Sequence, residues 1–94
     1  MSTRPEVNRL LAKGVESAKA GQRAEAYNTL LDVIELDRHN EQAWLWLSTV
    51  AQNLEDQRVC LENVLTINPN NAVARERLIA LAANDGQRGD VSPK

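Results

Sequence analysis

The chain of 94 residues lacks phenylalanine altogether and holds one tyrosine, one histidine and one cysteine. A single cysteine, Cys60, excludes an internal disulfide, so we expect a reducing, cytoplasmic location. Cys60 and His39 are too few and too far apart in sequence to provide the Cys and His spacing of a zinc site. Since a glycine-rich phosphate loop is also missing, we expect no metal, no cofactor and no enzymatic activity.

Long runs of apolar or basic residues are missing as well. No apolar stretch approaches the roughly 20 residues of a transmembrane helix, and the first residues contain no apolar region of a signal peptide. Eleven Lys and Arg against thirteen Asp and Glu give a formal net charge of −2, without the basic run typical of nucleic-acid binding. A hydrophobic fraction of 43% is enough for a folded core, so we predict one small soluble domain that binds neither membranes nor nucleic acid.

Helix-start and helix-stop signals are frequent and divide the chain into five predicted helices. Thr3 begins the pattern of a capping box, and Asn40 and Asn71 are suitable N-caps. Gly21 can end the first helix in a left-handed conformation. The predicted helices are 7–20, 23–36, 41 to about 54, 55–67 and 72–83, with Gly86 just beyond the last one.

The predicted helices repeat in pairs. The first and third match at a shift of 34 residues, as Leu11 and Leu45 do, and the second and fourth match at a shift of 31, as Leu30 and Leu61 do. A helix–turn–helix period near 34 residues is typical of helical solenoids. We therefore predict a single domain at 1–86 and a flexible tail at 87–94. The domain consists of a first repeat at about 7–40, a second at about 41–71 and a capping helix at about 72–84.

These units resemble the tetratricopeptide repeat. The residues that carry the resemblance are Gly14, Gly21, Ala26, Leu30, Val33 and Asn40 in the first unit, and Trp44, Leu47, Ser48, Leu61, Val64 and Pro69 in the second. The resemblance implies an all-α fold, a right-handed α-solenoid of antiparallel helix hairpins with five helices. It also implies that the first helix of each hairpin lines a concave groove.

Two tryptophans lie at the edges of one apolar arc on the third predicted helix. The arc is wider than the stripe of a helix that packs on one partner, so we expect this helix to be packed from two sides. Trp44 is then expected to pack against the fourth helix. Trp46 is expected to reach back to the first helix near Gly14 and Leu11, where glycine permits close approach. The alternative is that Trp46 is an exposed docking or dimerisation residue.

A mostly polar face of the first and third predicted helices carries a few apolar side chains, and this face corresponds to the expected groove. The candidate partner-binding residues on it are Asn8, Leu11, Val15, Lys19, Gln42, Leu45, Thr49 and Asn53. Leu11, Val15 and Leu45 would provide an apolar centre for a peptide or an amphipathic helix. The alternative is that Leu11 and Leu45 are partly buried between neighbouring repeats.

The sequence thus predicts a non-enzymatic module that binds a peptide or helix of a partner protein. Some members of the family that it resembles bind a C-terminal carboxylate through Lys, Asn and Arg at set groove positions. Of the corresponding residues here only Arg77 fits, so we do not expect that mode of binding. The alternative function is a self-associating structural unit, as a homodimer or an end-to-end stack. The expected state is a monomer or a weak homodimer.

Overall fold

The computed structural model describes the backbone of residues 4–90 and the side chains of residues 4–83. Over this range the chain is all-helical, as predicted, and contains five helices and no strand. They are α1 (Arg4–Lys19), α2 (Arg23–Leu36), α3 (Glu41–Val50), α4 (Leu54–Ile67) and α5 (Ala72–Asp90). None of these helices, within the described residues, combines the length and apolarity that crossing a bilayer requires.

Asparagine caps begin three of the five helices. The side-chain oxygens of Asn40, Asn53 and Asn71 each accept a hydrogen bond from the backbone N–H three residues further on, at 2.8–2.9 Å. Each bond satisfies one of the backbone donors that a helix N-terminus leaves unpaired. Gly21, which follows α1, has a φ of 83°, the left-handed conformation expected of it. The predicted capping residue Thr3 lies outside the described residues.

The boundary between α3 and α4 differs from the prediction. Helix α3 ends at Val50, and α4 already begins at Leu54. Ala51 is extended, with a ψ of 146°, and Asn53 caps α4. Leu54 therefore belongs to the first turn of α4 and not to the apolar arc of α3. The sequence pattern extended α3 too far because Ala51 and Leu54 continue its apolar periodicity.

The end of α5 also differs from the prediction. The helix continues through Gly86 to Asp90, so Gly86 does not end it, and residues 87–90 of the predicted tail are helical. Glycine in a helix interior costs about 1 kcal/mol relative to alanine but does not block the hydrogen-bonded turn. It ends a helix only where it takes the left-handed conformation. Residues 91–94 of the predicted tail lie outside the described range.

Each helix packs against the next one in the chain, and α1 also contacts α3. The connections are three or four residues long, and packed helices with such short connections run antiparallel. Polar contacts agree with this arrangement. Arg23 at the start of α2 lies beside Thr49 near the end of α3, and Glu41 at the start of α3 lies beside Asn68, which follows α4. The order of the helices in space therefore follows their order in the chain.

Buried apolar side chains form two clusters. The first is built from α1 to α4 and comprises Val7, Ala26, Leu30, Val33, Ala43, Leu47, Val50 and Cys60. The second is built from α4 and α5 and comprises Leu61, Val64 and Ala74. Trp44 packs against both clusters, and its indole N–H donates to the carbonyl of Arg38 at 2.9 Å. Helix α3 is thus packed from two sides, which explains why its apolar arc is wide.

Gly14 permits a close helix crossing. A Cβ at this position would lie 2.8 Å from two side-chain carbons of Leu30 and 3.5 Å from Thr29, both on α2. The atoms nearest to this Cβ position therefore belong to the second helix of the same hairpin. Trp46 is partly buried and packs against the first cluster, so it does not point freely outward.

Candidate functional site

A surface groove runs along α1 and reaches the start of α3. It holds an open, shallow cavity of about 430 Å³ and is lined by Asn8, Leu11, Ala12, Val15, Glu16, Lys19 and Gln42. We call this set the α1 groove. On α1 the lining residues recur at spacings of three and four, which places them on one face of the helix. Five of the eight residues proposed from the sequence are brought together here: Asn8, Leu11, Val15, Lys19 and Gln42.

The apolar residues of the α1 groove differ in whether they also pack against the hydrophobic core. Leu11 is partly buried and packs against the first cluster while also lining the cavity. Val15 and Ala12 line the cavity, and neither belongs to a core cluster. The groove therefore offers an apolar surface of small area, with Asn8, Gln42 and charged side chains around it.

Leu45 is not part of this cavity. Its side chain is partly buried and packs against the second cluster of Leu61, Val64 and Ala74. The partial burial that the sequence left open as an alternative is therefore what the structure shows for Leu45. A substitution at this position would alter the packing of α3 on α4 and α5 as well as any docking surface.

Thr49, another of the proposed residues, is contacted by two arginines. Its carbonyl oxygen accepts from Nη2 of Arg23 at 3.2 Å, and its hydroxyl accepts from Nη1 of Arg77 at 3.0 Å. Arg23 is the first residue of α2, and Arg77 lies in the second turn of α5. Sequence reasoning missed Arg23. The available signal was its position at a helix start beside the α3 C-terminus, where the last carbonyls lack partners within the helix.

Asn53 does not lie on α3, so its assignment to the groove face was wrong. It caps α4, and its side-chain oxygen is bonded to the N–H of Asp56 at 2.8 Å. A helical-wheel projection of the sequence placed Asn53 beside Thr49, because the predicted α3 continued for a further turn. Since the helix ends at Val50, that register no longer applies at residue 53.

A second cavity, of about 390 Å³, lies between the end of α2 and the end of α4. Its lining residues are Ile34, Arg38, His39, Trp44, Asn63, Thr66 and Ile67. Three polar groups of this Trp44 cavity are used within the fold. The indole N–H is bonded to a loop carbonyl, and Asn63 and Thr66 each donate to a carbonyl one turn earlier in α4. The rest of the lining combines aliphatic side chains with the side chains of Arg38 and His39.

One carboxylate joins the start of α3 to the loop after α4. Glu41 Oε2 accepts from the side-chain amides of Asn68 at 2.9 Å and Asn71 at 2.6 Å. Asn71 also caps α5 through its side-chain oxygen. The three side chains make a polar network within the fold. We therefore assign it a structural role, which fixes where α5 begins relative to α3.

Two titratable side chains that face Asp56 have raised pKa values. Burial, with a smaller contribution from the Asp56 carboxylate, raises the pKa of the Cys60 thiol to about 11. Burial and then Asp56 also raise the pKa of Tyr27, whose hydroxyl donates to Asp56 at 3.5 Å. Both groups are protonated at neutral pH, and a protonated thiol is a poor nucleophile. Within the described residues there is no group of three or more His, Cys, Asp or Glu side chains suited to hold a metal ion.

Comparison with family models, with curated proteins and with solved structures gives no match for this chain. The resemblance to the tetratricopeptide repeat therefore remains a prediction that rests on the residues of the sequence itself.

Proposed function

We propose that this chain is a non-enzymatic protein–protein interaction module that binds a peptide or helix of a partner protein in the α1 groove. The observation that carries this proposal is the groove itself, where Leu11, Ala12 and Val15 form an apolar centre beside the amides of Asn8 and Gln42. Apolar contact with a few polar groups around it is the usual chemistry of peptide recognition in a groove.

The proposal includes the finer fold prediction, a short right-handed solenoid that resembles tetratricopeptide repeats. Contact between α1 and α3 supports it, because the first helices of successive hairpins are neighbours in such a stack. The bond from Arg77 to Thr49 supports it too, because it brings α5 beside α3 in the same way. Arg77 also follows Trp46 at the repeat shift of 31, and its side chain contacts Thr49 of the preceding repeat.

The size of the groove limits the affinity that we expect. A cavity of about 430 Å³ accommodates one or two side chains of a partner, not an extended interface. Association also costs translational and rotational freedom, so only the surplus of contact energy contributes to affinity. We expect dissociation constants of about 10 µM or weaker for a single segment. The proposal includes a cytoplasmic location, because the sequence has one cysteine and hence no internal disulfide.

The test is capture of partner proteins by the immobilised chain, followed by mass spectrometry, with a variant that makes the groove polar. The variant combines Ala12→Gln with Val15→Gln, since both residues line the cavity and lie outside the core clusters. Leu45 is left unchanged because it packs against the second cluster. The matched control combines Ala24→Gln with Val59→Gln, the same residue types at exposed positions of α2 and α4. We expect the groove variant to lose the captured proteins that the control retains. Equal capture by both variants would reject the groove.

A second candidate function is self-association through α5. Ile79 is 63% exposed and Val73 is 46% exposed, which leaves apolar area open on the last helix of the stack. Sedimentation equilibrium at several concentrations separates the two functions. A concentration-dependent mass that falls in Ile79→Gln would support self-association. A constant monomer mass up to high micromolar concentration would reject it.

A further inference from the structure

Two guanidinium groups converge on one residue at the C-terminal end of α3. Arg23 donates to the carbonyl of Thr49 at 3.2 Å, and Arg77 donates to its hydroxyl at 3.0 Å. All three residues are exposed to solvent. Arg23 and Arg77, which we call the arginine pair, come from α2 and α5, so helices distant in sequence place two positive charges close together.

Within the described side chains, no carboxylate neutralises either member of the arginine pair. Among residues 4–83, the carboxylates lie beyond ion-pair distance of both side chains, and the ion pairs that do form involve Arg4 and Arg58 instead. Each guanidinium has five N–H donors and uses one of them on a neutral oxygen of Thr49. The chain as a whole carries a formal charge of −2, so this positive site is local.

The repeat register places the arginine pair beside one end of the α1 groove. Val15 and Thr49 are equivalent positions at the repeat shift of 34, on two helices that are in contact. Arg23 begins α2 four residues after Lys19 ends α1, and Lys19 lines the groove. A segment that fills the cavity over Val15 therefore needs only a short continuation to reach Arg23 and Arg77.

We propose that the partner segment is acidic, with apolar side chains in the α1 groove and adjacent Asp or Glu carboxylates bound to Arg23 and Arg77. This inference rests on the proposed function and specifies the chemistry of the partner. Arginine is suited to this role because its planar fork binds a carboxylate through two parallel hydrogen bonds. Glu16, which lines the groove, repels a carboxylate placed over the cavity and so favours its position at the arginine end.

A purely structural role for the pair makes a different prediction. Arg23 satisfies a carbonyl in the last turn of α3, where a positive charge also interacts favourably with the helix dipole. If that were the whole role, replacing both arginines would lower thermal stability without changing which peptides bind. The readout that separates the two roles is therefore charge preference in binding, not stability.

The test uses three synthetic amphipathic peptides with identical leucine positions and with Glu, Gln or Lys at every polar position. Fluorescence anisotropy measures their binding to the purified chain. We expect the Glu peptide to bind about tenfold tighter than the Gln peptide, because two exposed ion pairs each strengthen binding a fewfold. This preference is expected to shrink at high ionic strength, where exposed charges are screened. The variant that combines Arg23→Gln with Arg77→Gln is expected to bind the Glu peptide no better than the Gln peptide.

The matched control combines Arg9→Gln with Arg75→Gln, which removes the same charge from exposed positions of α1 and α5. Arg75, like the pair, donates to one neutral oxygen, the carbonyl of Pro69 at 2.7 Å. The control is expected to keep the Glu preference, and thermal melts verify that every variant is folded.

Each contrary outcome has a separate meaning. Equal binding of the three peptides, or tightest binding of the Lys peptide, overturns the acidic partner. A Glu preference that survives loss of the arginine pair, or that disappears equally in the control, overturns the assignment to Arg23 and Arg77. Unchanged binding of the Gln peptide by the Ala12→Gln and Val15→Gln variant overturns the groove, and hence the proposed function. Absence of binding by all three peptides overturns both.

Discussion

The crossing of α1 and α2 at Gly14 makes a methyl group at this position costly. In Gly14→Ala the new Cβ would lie 2.8 Å from Cγ and Cδ2 of Leu30, closer than carbon atoms can approach. Leu30 is fully buried in the first cluster, so its side chain cannot turn into solvent to make room. Overpacking of this kind costs about 1–3 kcal/mol, while alanine in a helix interior recovers up to about 1 kcal/mol. We expect a net loss of about 1–2 kcal/mol in the free energy of unfolding.

Urea and thermal unfolding, followed by circular dichroism, measure this loss. For a domain of this size, about 1 kcal/mol lowers the Tm by about 4–8 °C. The decisive control is a double-mutant cycle with Leu30→Ala, which alone costs about 2–5 kcal/mol but removes both clashing carbons. In that background Gly14→Ala is expected to stabilise, because only the gain in helix propensity remains. If Gly14→Ala raises the Tm of the chain that retains Leu30, the close crossing is wrong.

Three further outcomes follow from the hydrogen bonds and the buried thiol. Glu41→Ala is expected to lower the free energy of unfolding by about 1–3 kcal/mol, because its two asparagine partners lose a charged acceptor. The exposed Glu25→Ala, as a control in the same urea titrations, should change it by less than about 0.5 kcal/mol. Asn53→Ala is expected to cost about 1 kcal/mol through loss of the α4 cap, with no loss of peptide binding in the anisotropy assay. The folded chain holds the Cys60 proton up to a pKa of about 11, whereas an unfolded thiol releases it near pH 8.5. The Tm is therefore expected to fall as pH rises from about 9 to 11, and to fall less steeply in Cys60→Ala.

The number of helices and most of their limits could be predicted because their signals are local. Asn40, Asn71 and Gly21 act at the helix ends where the sequence predicted them. The wide apolar arc of α3 likewise predicted packing from two sides, and Trp44 does contact both clusters. These features depend on residues close in sequence or on one helix, so periodicity and capping rules are sufficient to find them.

Features that depend on the relative placement of two helices were predicted less well. The glycine at 14 indicated a close approach, but the pattern could not say that Leu30 of α2 occupies the space. The Trp44 cavity was missed because it combines the loop residues Arg38 and His39 with the end of α4. Neither side of that cavity shows a periodic apolar pattern that would mark it.

The candidate site also has a part that the sequence predicted correctly and a part that it did not. The α1 part was found because Leu11 and Val15 lie on one face of a single regular helix. On α3 the helical wheel gave wrong positions for residues after Val50, because the helix ends there. The helical wheel therefore placed Asn53 on the groove face. It could not identify Arg23, because the role of Arg23 depends on which helix end lies next to α2.

The early end of α3 makes the second repeat differ from the first, and it also determines where the arginine pair can form. The connections after α1 and after α3 are both three residues long, but α3 ends at Val50, three residues before position 53, which corresponds to the end of α1 at the repeat shift of 34. Another turn of helix would give the carbonyl of Thr49 a partner within α3, and Arg23 would have no acceptor there. Because α3 ends at Val50, the carbonyl of Thr49 has no partner within the helix and accepts from Arg23. Arg77 of α5 donates to the hydroxyl of the same residue, so the two guanidinium groups lie close together. We infer that the early end of α3 creates the arginine pair. Inserting three helix-forming residues after Val50, so that α3 ends where the first repeat would end it, should therefore remove the preference for acidic peptides even though both arginines remain in the chain.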